Sequence, residues 1–266
     1  MSATQTQTLT RRIETPAGAV RWRAVEWDTE QIGMAAARLD ALDASGSYSE
    51  VRARKGELLA LVLDQCRQSG IRHLSARVGA GDFTTIHALE GAGFEMIDGI
   101  QTFEIGLDPN TIVVPPGIRL FELKDLPDVL EIGRTAFVFD RFHSDSALAP
   151  AVADRVNESW TRNCCLGTAA DAVLVAEEAG HVATFVACRV DRQAGHGIII
   201  LVATAEWARG RGAARRTSLA ALHWFTGQGL QTVEVGTQLR NVPAARLYES
   251  LGFRLIRTSL TFRKIL

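Results

Sequence analysis

The run Arg209-Gly210-Arg211-Gly212-Ala213-Ala214 combines residue types that can hold an anion. The apolar segment 198–203 precedes it and apolar residues at helical spacing follow it, which predicts a strand, a turn and a helix. N–H groups at a helix start lack intrahelical acceptors, and the aligned peptide dipoles favour negative charge there. Two glycines allow positive φ and let a phosphate group approach the main chain. The run therefore predicts a phosphate cradle, with an ordinary strand-to-helix turn as the alternative.

Neither familiar nucleotide-binding loop fits this run. A triphosphate P-loop needs Gly-Lys-Ser/Thr, which does not follow here, and the G-x-G-x-x-G register fails because position 215 is Arg. The net charge of the chain is −1 at pH 7, so no global field draws it to nucleic acid or to an anionic membrane. Any anion must therefore be bound by local groups.

The segment after the predicted helix supplies a second motif. Gly227-Gln228-Gly229 predicts the end of that helix, and residues 231–237 alternate as a strand. Asn241 to Phe253 then reads N-x-x-A-x-x-x-Y-x-x-x-G-F, with Tyr248 on a predicted helix. Together with R-x-x-G-x-A at 209–214, this motif resembles the acetyl-CoA signature of the GNAT N-acetyltransferases.

The resemblance implies a fold and an activity. The fold is of the α/β (α+β) class, with a splayed central mixed sheet, flanking helices, and acetyl-CoA entering the gap in the sheet. The activity is that of an acyltransferase, in which acetyl-CoA as co-substrate gives its acetyl group to the primary amine of a small acceptor.

Three groups of residues would bind the co-substrate if the resemblance holds. Strand residues would pair with the pantetheine amides, the turn and its arginines would hold the phosphates, and an asparagine would reach the cofactor arm. These residues are Leu201, Val202 and Ala203; Arg209, Arg211, Gly212, Ala213, Ala214 and Arg215; and Asn241. Asn241 is expected both to cap the helix that begins there and to contact the cofactor arm, with a cap alone as the alternative. For the arginines, the alternative is solvated surface residues.

Tyr248 is the candidate general acid. Amine attack on a thioester expels a thiolate, and a neutral phenol with a reference pKa of about 10 can protonate the leaving sulfur. The alternative is a core tyrosine whose hydroxyl is hydrogen-bonded. For the general base three options stay open: Glu206, His196, or a water chain that lets the amine enter neutral.

Further motifs resemble the sugar N-acetyltransferases related to TDP-fucosamine acetyltransferase. They are Trp27-Asp28-Thr29, the segment 141–145, Ala221-Leu222-His223-Trp224 and Val235-Gly236-Thr237-Gln238. This resemblance implies a nucleotide-linked amino sugar as acceptor. Two alternatives remain: an acetyltransferase acting on a peptide, amino acid or antibiotic amine, and a non-catalytic CoA-binding regulatory protein.

The segment Phe139 to Asp145 is rich in aromatic and charged residues but has no helix or strand period. We expect a substrate-facing loop there, in which Arg141 or His143 meets polar sugar or phosphate groups. A packed loop between two helices is the alternative.

An internal repeat is predicted from a constant spacing. Gly93-Phe94 and Gly252-Phe253 lie 159 positions apart (252 minus 93), and so do Gly70-Ile71 and Gly229-Leu230. The same offset places Arg209 to Ala214 over residues 50–55, which contain no glycine, and Tyr248 over Leu89. We therefore predict a degenerate, truncated GNAT-like domain over residues 1–114, a catalytic GNAT domain over 115–266, and one active site per chain.

Composition sets the remaining expectations. The four cysteines show no C-x-x-C spacing and the six histidines are scattered, so neither a metal site nor a disulfide framework is predicted. The first thirty residues lack a signal-peptide core, and the longest apolar run is far shorter than the about 20 residues of a membrane helix. We expect a cytoplasmic protein that binds neither nucleic acid nor membrane. Closing strands around Thr258 to Arg263 could pair between chains in a homodimer, or within one chain.

Overall fold

A computed structural model describes residues 10–108 and 115–266, so part of the predicted linker and the predicted boundary at residue 114 lie outside the described residues. The described elements alternate between strands and helices. In chain order they are β1 (Thr10–Thr15), β2 (Gly18–Ala24), α1 (Glu26–Ile32), β3 (Ala36–Asp43), α2 (Tyr48–Gln68), β4 (His73–Gly79), α3 (Phe83–Gly91), β5 (Glu95–Gly106), β6 (Ile118–Leu120), α4 (Leu126–Ala136), α5 (Arg141–Ser144), α6 (Pro150–Cys165), β7 (Ala172–Glu178), β8 (His181–Asp191), β9 (His196–Thr204), α7 (Ala213–Gly227), β10 (Thr232–Gln238), α8 (Val242–Ser250) and β11 (Arg254–Ile265).

The predicted repeat is confirmed by the ends of these elements. β4 and β10, α3 and α8, and β5 and β11 begin and end 159 positions apart (for example 232 minus 73), and α2 and α7 end at the same offset. The two copies differ at the start of their long helix. α2 begins at Tyr48, where Ser47 and Glu50 form a capping box, whereas α7 begins only at Ala213.

The chain divides into two compact units, each of which includes a strand from the other repeat. Unit 1 contains the described residues up to Gly99 with Ser144–Ala149 and Thr258–Leu266, and unit 2 contains the described residues of Ile100–His143 and Pro150–Arg257. In unit 1, Ser259 to Ile265 of β11 pair antiparallel with β4. In unit 2, Ile100 to Gly106 of β5 pair antiparallel with β10. The closing strand of each repeat thus completes a sheet within the chain, and the division at residues 114 and 115 stays a prediction.

The sheet of unit 2 opens between β9 and β10. The two strands pair in parallel only over Gly197 to Ile199 of β9. The next residue, Ile200, is an extra residue opposite β8, because the β8 register shifts between Ala187 and Cys188. A bulge of this kind bends and twists its strand. The splayed mixed sheet predicted from the sequence is therefore confirmed, with the opening placed at Ile200.

Unit 1 has the same opening without the same helix start. β3 pairs in parallel with β4 over Ala36 to Leu39, and Asp40 is then the extra residue where the β2 register shifts. The core of this unit packs α2 and α3 on the sheet and includes the fully buried side chains of Trp22, Leu58 and Phe262. The first repeat has kept the sheet geometry of the second.

Two local predictions are wrong. The sequence places Trp27-Asp28-Thr29 in a turn between two strands, but these residues lie in α1, where the Thr29 hydroxyl donates to the Val25 carbonyl and accepts from the Ala36 N–H. The segment Phe139 to Asp145 contains the one-turn helix α5, because Asp140 accepts the N–H groups of Phe142 and His143 at 2.7 and 3.1 Å. In both places a short polar side chain organises the backbone without a periodic signal.

Candidate active site

The start of α7 is open to a ligand. Gly210 and Gly212 have φ values of 76° and 75°, which L side chains rarely adopt, and Gly212 is the N-cap residue with no side chain to cap the helix. The first intrahelical bond runs from the Arg216 N–H to the Gly212 carbonyl at 3.1 Å. The N–H groups of residues 213–215 come before that bond and have no intrahelical acceptor. The predicted turn thus has the backbone of an anion cradle.

The arginines around this turn have different surroundings. Arg216 donates to Glu178 at 3.1 Å and to the Arg211 carbonyl at 3.0 Å, so it ties the turn to the end of β7. Arg209 donates to the Thr204 carbonyl at 3.4 Å. Arg211 and Arg215 are exposed, and the Arg211 guanidinium lies 4.0 Å from Glu178. Arg209 is exposed as well, so the charge that faces solvent here comes from Arg209, Arg211 and Arg215.

The strand that leads into the turn has one open edge. Residues 201–204 of β9 pair with β8, and no second strand partner is present for them in the described part of the chain. Leu201 and Ala203 are buried and Val202 is partly buried. α7 lies close over the paired part of β9, since a Cβ at Gly197 would come within 2.6 Å of the Phe225 ring. The open edge therefore adjoins the start of α7.

Asn241 caps α8 directly after β10. Its Oδ1 accepts the Ala244 N–H at 3.2 Å, which confirms the predicted cap. No hydrogen bond of the Asn241 amide nitrogen is present among the described residues. That group is available as a donor at the end of β10 where β9 has diverged.

Tyr248 lies on the inner face of α8. Its ring centroid is 5.9 Å from that of Phe103 and 5.8 Å from that of Phe253, and the side chain is buried. Burial raises the pKa of the Tyr248 phenol well above its usual value, and the hydroxyl forms no hydrogen bond within the described residues. The phenol is therefore neutral at physiological pH and holds a proton that no described protein group shares.

Comparison with known protein families identifies one domain of the chain. Residues 135–253 match the model of the Acetyltransferase (GNAT) family. These residues are a GNAT acetyltransferase domain. The matched range contains the turn, the open strand edge, Asn241 and Tyr248, and the domain makes the chain an acyltransferase.

Two named proteins are similar to this chain over more than the acetyltransferase domain. The chain is 27% identical over 187 residues to dTDP-fucosamine acetyltransferase from Escherichia coli, covering 70% of this chain and 79% of that protein. It is 32% identical over 182 residues to spore coat polysaccharide biosynthesis protein SpsD from Bacillus subtilis, covering 66% of this chain but only 61% of that protein.

Solved structures of low sequence identity share the fold. A GCN5-related N-acetyltransferase from Sphaerobacter thermophilus superposes with a TM-score of 0.63 at 17% identity, covering 93% of this chain and 77% of that chain. A tandem GNAT protein from the clavulanic acid biosynthesis pathway gives a TM-score of 0.59 at 16% identity, covering 93% of this chain and 78% of that chain. The match to a tandem protein agrees with a degenerate GNAT-like half before the acetyltransferase domain.

His143 of the acetyltransferase domain is held between two carboxylates. Its Nδ1 lies 2.6 Å from Asp140 Oδ2, and its Nε2 lies 3.1 Å from Asp154 Oδ1. Burial alone would lower the pKa of His143, but the hydrogen bonds and charges of Asp140 and Asp154 outweigh it and raise that pKa. Asn157 also donates to Asp140, at 2.9 Å. His143 thus belongs to a polar cluster and offers no unbonded ring nitrogen.

The segment around α5 contacts the connection between β10 and α8. The Arg240 guanidinium carbon lies 6.0 Å from the centroid of the Phe139 ring, within reach of a cation–π interaction. Arg240 immediately precedes Asn241, so the segment predicted to face the substrate lies next to the β10–α8 connection. Arg141, the other predicted substrate contact, has its guanidinium over the neighbouring Phe142 ring at 4.3 Å.

The two side chains considered as general base lie at opposite ends of β9. Glu206 follows the strand and is exposed, three residues before the arginine that opens the turn. His196 begins the strand, so eight residues at about 3.3 Å each separate it from Thr204. Of the two, Glu206 is the one close to the turn.

Three features of the site had no signal in the sequence. The bulge at Ile200 depends on the register with β8, and the bond of Arg216 to Glu178 joins residues 38 positions apart. The contact of Arg240 with Phe139 is also long-range.

Within the described residues, no group of three or more His, Cys, Asp or Glu side chains could hold a metal ion, and no helix is long and apolar enough to cross a membrane.

Proposed function

We propose that the chain transfers the acetyl group of acetyl-CoA to the primary amine of a small acceptor, and that this acceptor is a nucleotide-linked amino sugar. The observation that carries the first part is the uncapped start of α7 beside the open edge of β9. N–H groups at a helix start suit a diphosphate. An unpaired strand edge suits the pantetheine arm, which carries amide donors and acceptors like a peptide.

The roles of the binding residues follow from these two surfaces. The N–H groups of Arg211, Gly212, Ala213 and Ala214 hold the diphosphate, and each such contact contributes about 0.3 to 1 kcal/mol, rising to about 2 where partly buried. Exposed charge from Arg209, Arg211 and Arg215 attracts the phosphates. Peptide groups of Leu201, Val202 and Ala203 pair with the pantetheine amides. Asn241 adds a donor from its amide nitrogen.

Tyr248 acts as the general acid in this proposal. As the acceptor nitrogen bonds to the acetyl carbon, the carbon–sulfur bond breaks and the Tyr248 hydroxyl gives its proton to the sulfur. Burial raises the phenol pKa and so weakens the acid, but burial raises the pKa of a thiol as well, as it does for Cys188 in the same core. The phenol can still protonate the sulfur, because burial raises the pKa values of the proton donor and of the proton acceptor alike. The proton that the amine loses goes to water or to Glu206.

The acceptor class is supported by the relatives and by the position of the segment around α5. One relative is named for dTDP-fucosamine and another for a spore coat polysaccharide. In this proposal Arg141 meets a phosphate group of the acceptor. The cluster of His143, Asp140 and Asp154 meets its hydroxyl groups, with Asp154 as the most exposed member.

A thiol-release assay tests the proposal. The purified chain is given acetyl-CoA with a panel of nucleotide-linked amino sugars, free amino sugars, amino acids and peptides. We expect release of coenzyme A that depends on a nucleotide-linked amino sugar. Turnover restricted to peptides or amino acids would contradict the acceptor class, and absence of heat on titration with coenzyme A would contradict the co-substrate.

A further inference from the structure

Trp207 is a large aromatic side chain on the surface beside the cradle. It lies in the one-turn 3-10 helix Glu206–Ala208, two residues before Arg209, and 49% of it is exposed. The chain has five tryptophans, and the other four are buried or partly buried. No ring contact or hydrogen bond of the Trp207 indole is present within the residues that the structure describes. An aromatic face of this size in water costs free energy unless a ligand covers it.

The backbone under Trp207 is fixed. Ala208 is fully buried, its N–H donates to the Ala205 carbonyl at 2.9 Å, and the Ala205 N–H donates to the Ala183 carbonyl of β8 at 2.9 Å. The indole is therefore carried by a short helix that is tied to the sheet of unit 2. A rigid base of this kind holds an aromatic ring at a set position relative to the cradle.

The residue at the same offset in the first repeat is also an exposed aromatic side chain, but a neighbouring side chain packs on it. Subtracting 159 from Trp207 gives Tyr48, which is 51% exposed and packs its ring against His87 of α3, with ring centroids 6.2 Å apart. The Tyr48 hydroxyl also bonds His87 Nδ1. In unit 1 the aromatic residue at this position thus contacts a side chain of α3. In unit 2 the residue equivalent to His87 is Arg246, and the Trp207 ring has no such contact among the described residues.

We propose that Trp207 stacks on the adenine ring of coenzyme A. This inference rests on the proposed function. With the diphosphate at residues 211–214 and the pantetheine arm along the β9 edge, the adenosine half extends from the other end of the diphosphate. Trp207 is an exposed aromatic side chain four residues before the first of these N–H groups. Every nucleobase offers a π face, and stacking on an aromatic side chain requires no hydrogen-bond partner.

The test compares coenzyme A with 4′-phosphopantetheine, which lacks the adenosine half. Replacing Trp207→Ala should weaken coenzyme A binding by about 5- to 150-fold, the range that corresponds to loss of one base–aromatic stack. Trp207→Phe should keep most of the affinity because a ring remains. Affinity for 4′-phosphopantetheine should not change in either variant. The matched control is Tyr48→Ala in unit 1, which should leave both affinities at the wild-type value.

Fluorescence gives a second readout on the folded protein. Coenzyme A should quench the emission of the wild-type chain, 4′-phosphopantetheine should quench it far less, and the difference between the two ligands should vanish in Trp207→Phe. An equal loss of affinity for both ligands in Trp207→Ala would overturn the proposal, because Trp207 would then only support the turn. Unchanged coenzyme A affinity with a raised KM for the acceptor would also overturn it, since the indole would then meet the acceptor's base.

The wild-type titration separates this inference from the proposed function. If the wild-type chain binds no coenzyme A, the proposed function fails. If the wild-type chain binds coenzyme A and the Trp207→Ala variant binds it equally well, only the stacking role fails. Thermal unfolding midpoints of all variants show whether any loss comes from misfolding.

Discussion

Lys55 Nζ lies 3.3 Å from both carboxylate oxygens of Asp82, and these two residues stand where the second repeat has Ala214 and Asn241. Lys55 also donates to Thr84 at 2.9 Å and is itself buried. Where unit 2 has the small side chain of Ala214, unit 1 thus has a lysine that is bound to the N-cap residue of the next helix. The sheet opening is present in both units, but residues 50–55 of unit 1 have no glycine turn.

One coenzyme A per chain is the first prediction. In unit 1 the residues equivalent to the four proposed N–H donors of the cradle are 52–55. They lie inside α2, so their N–H groups donate to the carbonyls four residues earlier in the helix. Calorimetric titration should give a stoichiometry of one for the wild-type chain and also for Lys55→Ala, since removing the lysine does not free those N–H groups. A stoichiometry of two in either protein would contradict this interpretation of unit 1.

Tyr248→Phe should lower kcat by about 10²- to 10⁴-fold and leave the affinity for coenzyme A unchanged. The ring contacts with Phe103 and Phe253 remain, so the thermal midpoint should stay close to the wild-type value. Because burial raises the pKa of the phenol, the wild-type kcat should not fall through Tyr248 ionisation as the pH rises to about 10, the reference pKa of a phenol. A kcat close to that of the wild type would remove Tyr248 as the general acid.

Gly212→Ala should weaken coenzyme A binding through the backbone. Gly212 has a φ of 75°, and an L side chain in this region costs about 1 to 2 kcal/mol. The nearest atom to a Cβ added at Gly212 would be Arg216 Nη1, at 3.8 Å, so the cost is conformational and not steric. Gly227→Ala, at the end of the same helix, is the matched control and should bind normally. Equal affinities for the two variants would argue against the cradle.

Most of the second repeat could be predicted from sequence because its signals are local. The glycine stops, the strand alternation and the Asn241 cap each depend on a few neighbouring residues, and the offset of 159 carried the same assignments to the first repeat. The early start of α2 also has a local signal, the S-x-x-E box at Ser47 and Glu50, which the offset of 159 does not reveal. A cap of this kind extends the helix across the turn position.

The rest of the fold depends on pairings that no local pattern specifies. The register shift at Ile200 exists only opposite β8, and the exchange of closing strands joins β11 to β4, which are far apart in sequence. The placement of residues 144–149 in unit 1 likewise rests on contacts of Asp145 with the distant residues His73 and Arg263. The local elements that carry the candidate site residues were therefore easier to predict than the long-range contacts that hold these elements in place.

Arg141→Ala and His143→Ala should raise KM for the acceptor while coenzyme A affinity stays the same. Both residues lie on the segment whose Phe139 contacts Arg240, away from the start of α7 in sequence and in secondary structure. His143→Ala also leaves Asp140 and Asp154 without their shared partner, so a loss of thermal stability is expected for this variant alone. Steady-state kinetics with each substrate varied in turn makes the distinction. Unchanged acceptor kinetics in both variants would exclude the segment from the acceptor site.

Asp145→Asn should destabilise unit 1 through a buried ion pair. Asp145 Oδ1 lies 2.8 Å from Arg263 Nη2, and both side chains are almost fully buried. His73 Nε2 is 3.0 Å from the other carboxylate oxygen. Removing one partner of a buried pair costs about 3 to 5 kcal/mol. Arg263 keeps its contact with Glu95 at 3.2 Å, so we expect the loss of unfolding free energy to be closer to about 3 kcal/mol.

The direction of the Asp145 pKa shift determines how the effect of this substitution depends on pH. Burial alone would raise this pKa, but hydrogen bonds from His73, the Ala147 N–H and Arg263 outweigh it and hold the pKa below its usual range. The stabilisation is therefore present above the unfolded value of about 3.9 and is lost as the pH falls through the lower pKa of the folded state. Urea unfolding at neutral pH should give a lower free energy of unfolding for Asp145→Asn than for the wild type. This difference in free energy should become smaller below a pH of about 4. Asp64→Asn, in an exposed pair with Arg67, should change stability by less than about 1 kcal/mol at either pH. If instead the difference in unfolding free energy between wild type and Asp145→Asn grew as the pH fell, Asp145 would be protonated in the folded chain. The pair with Arg263 would then not be an ion pair.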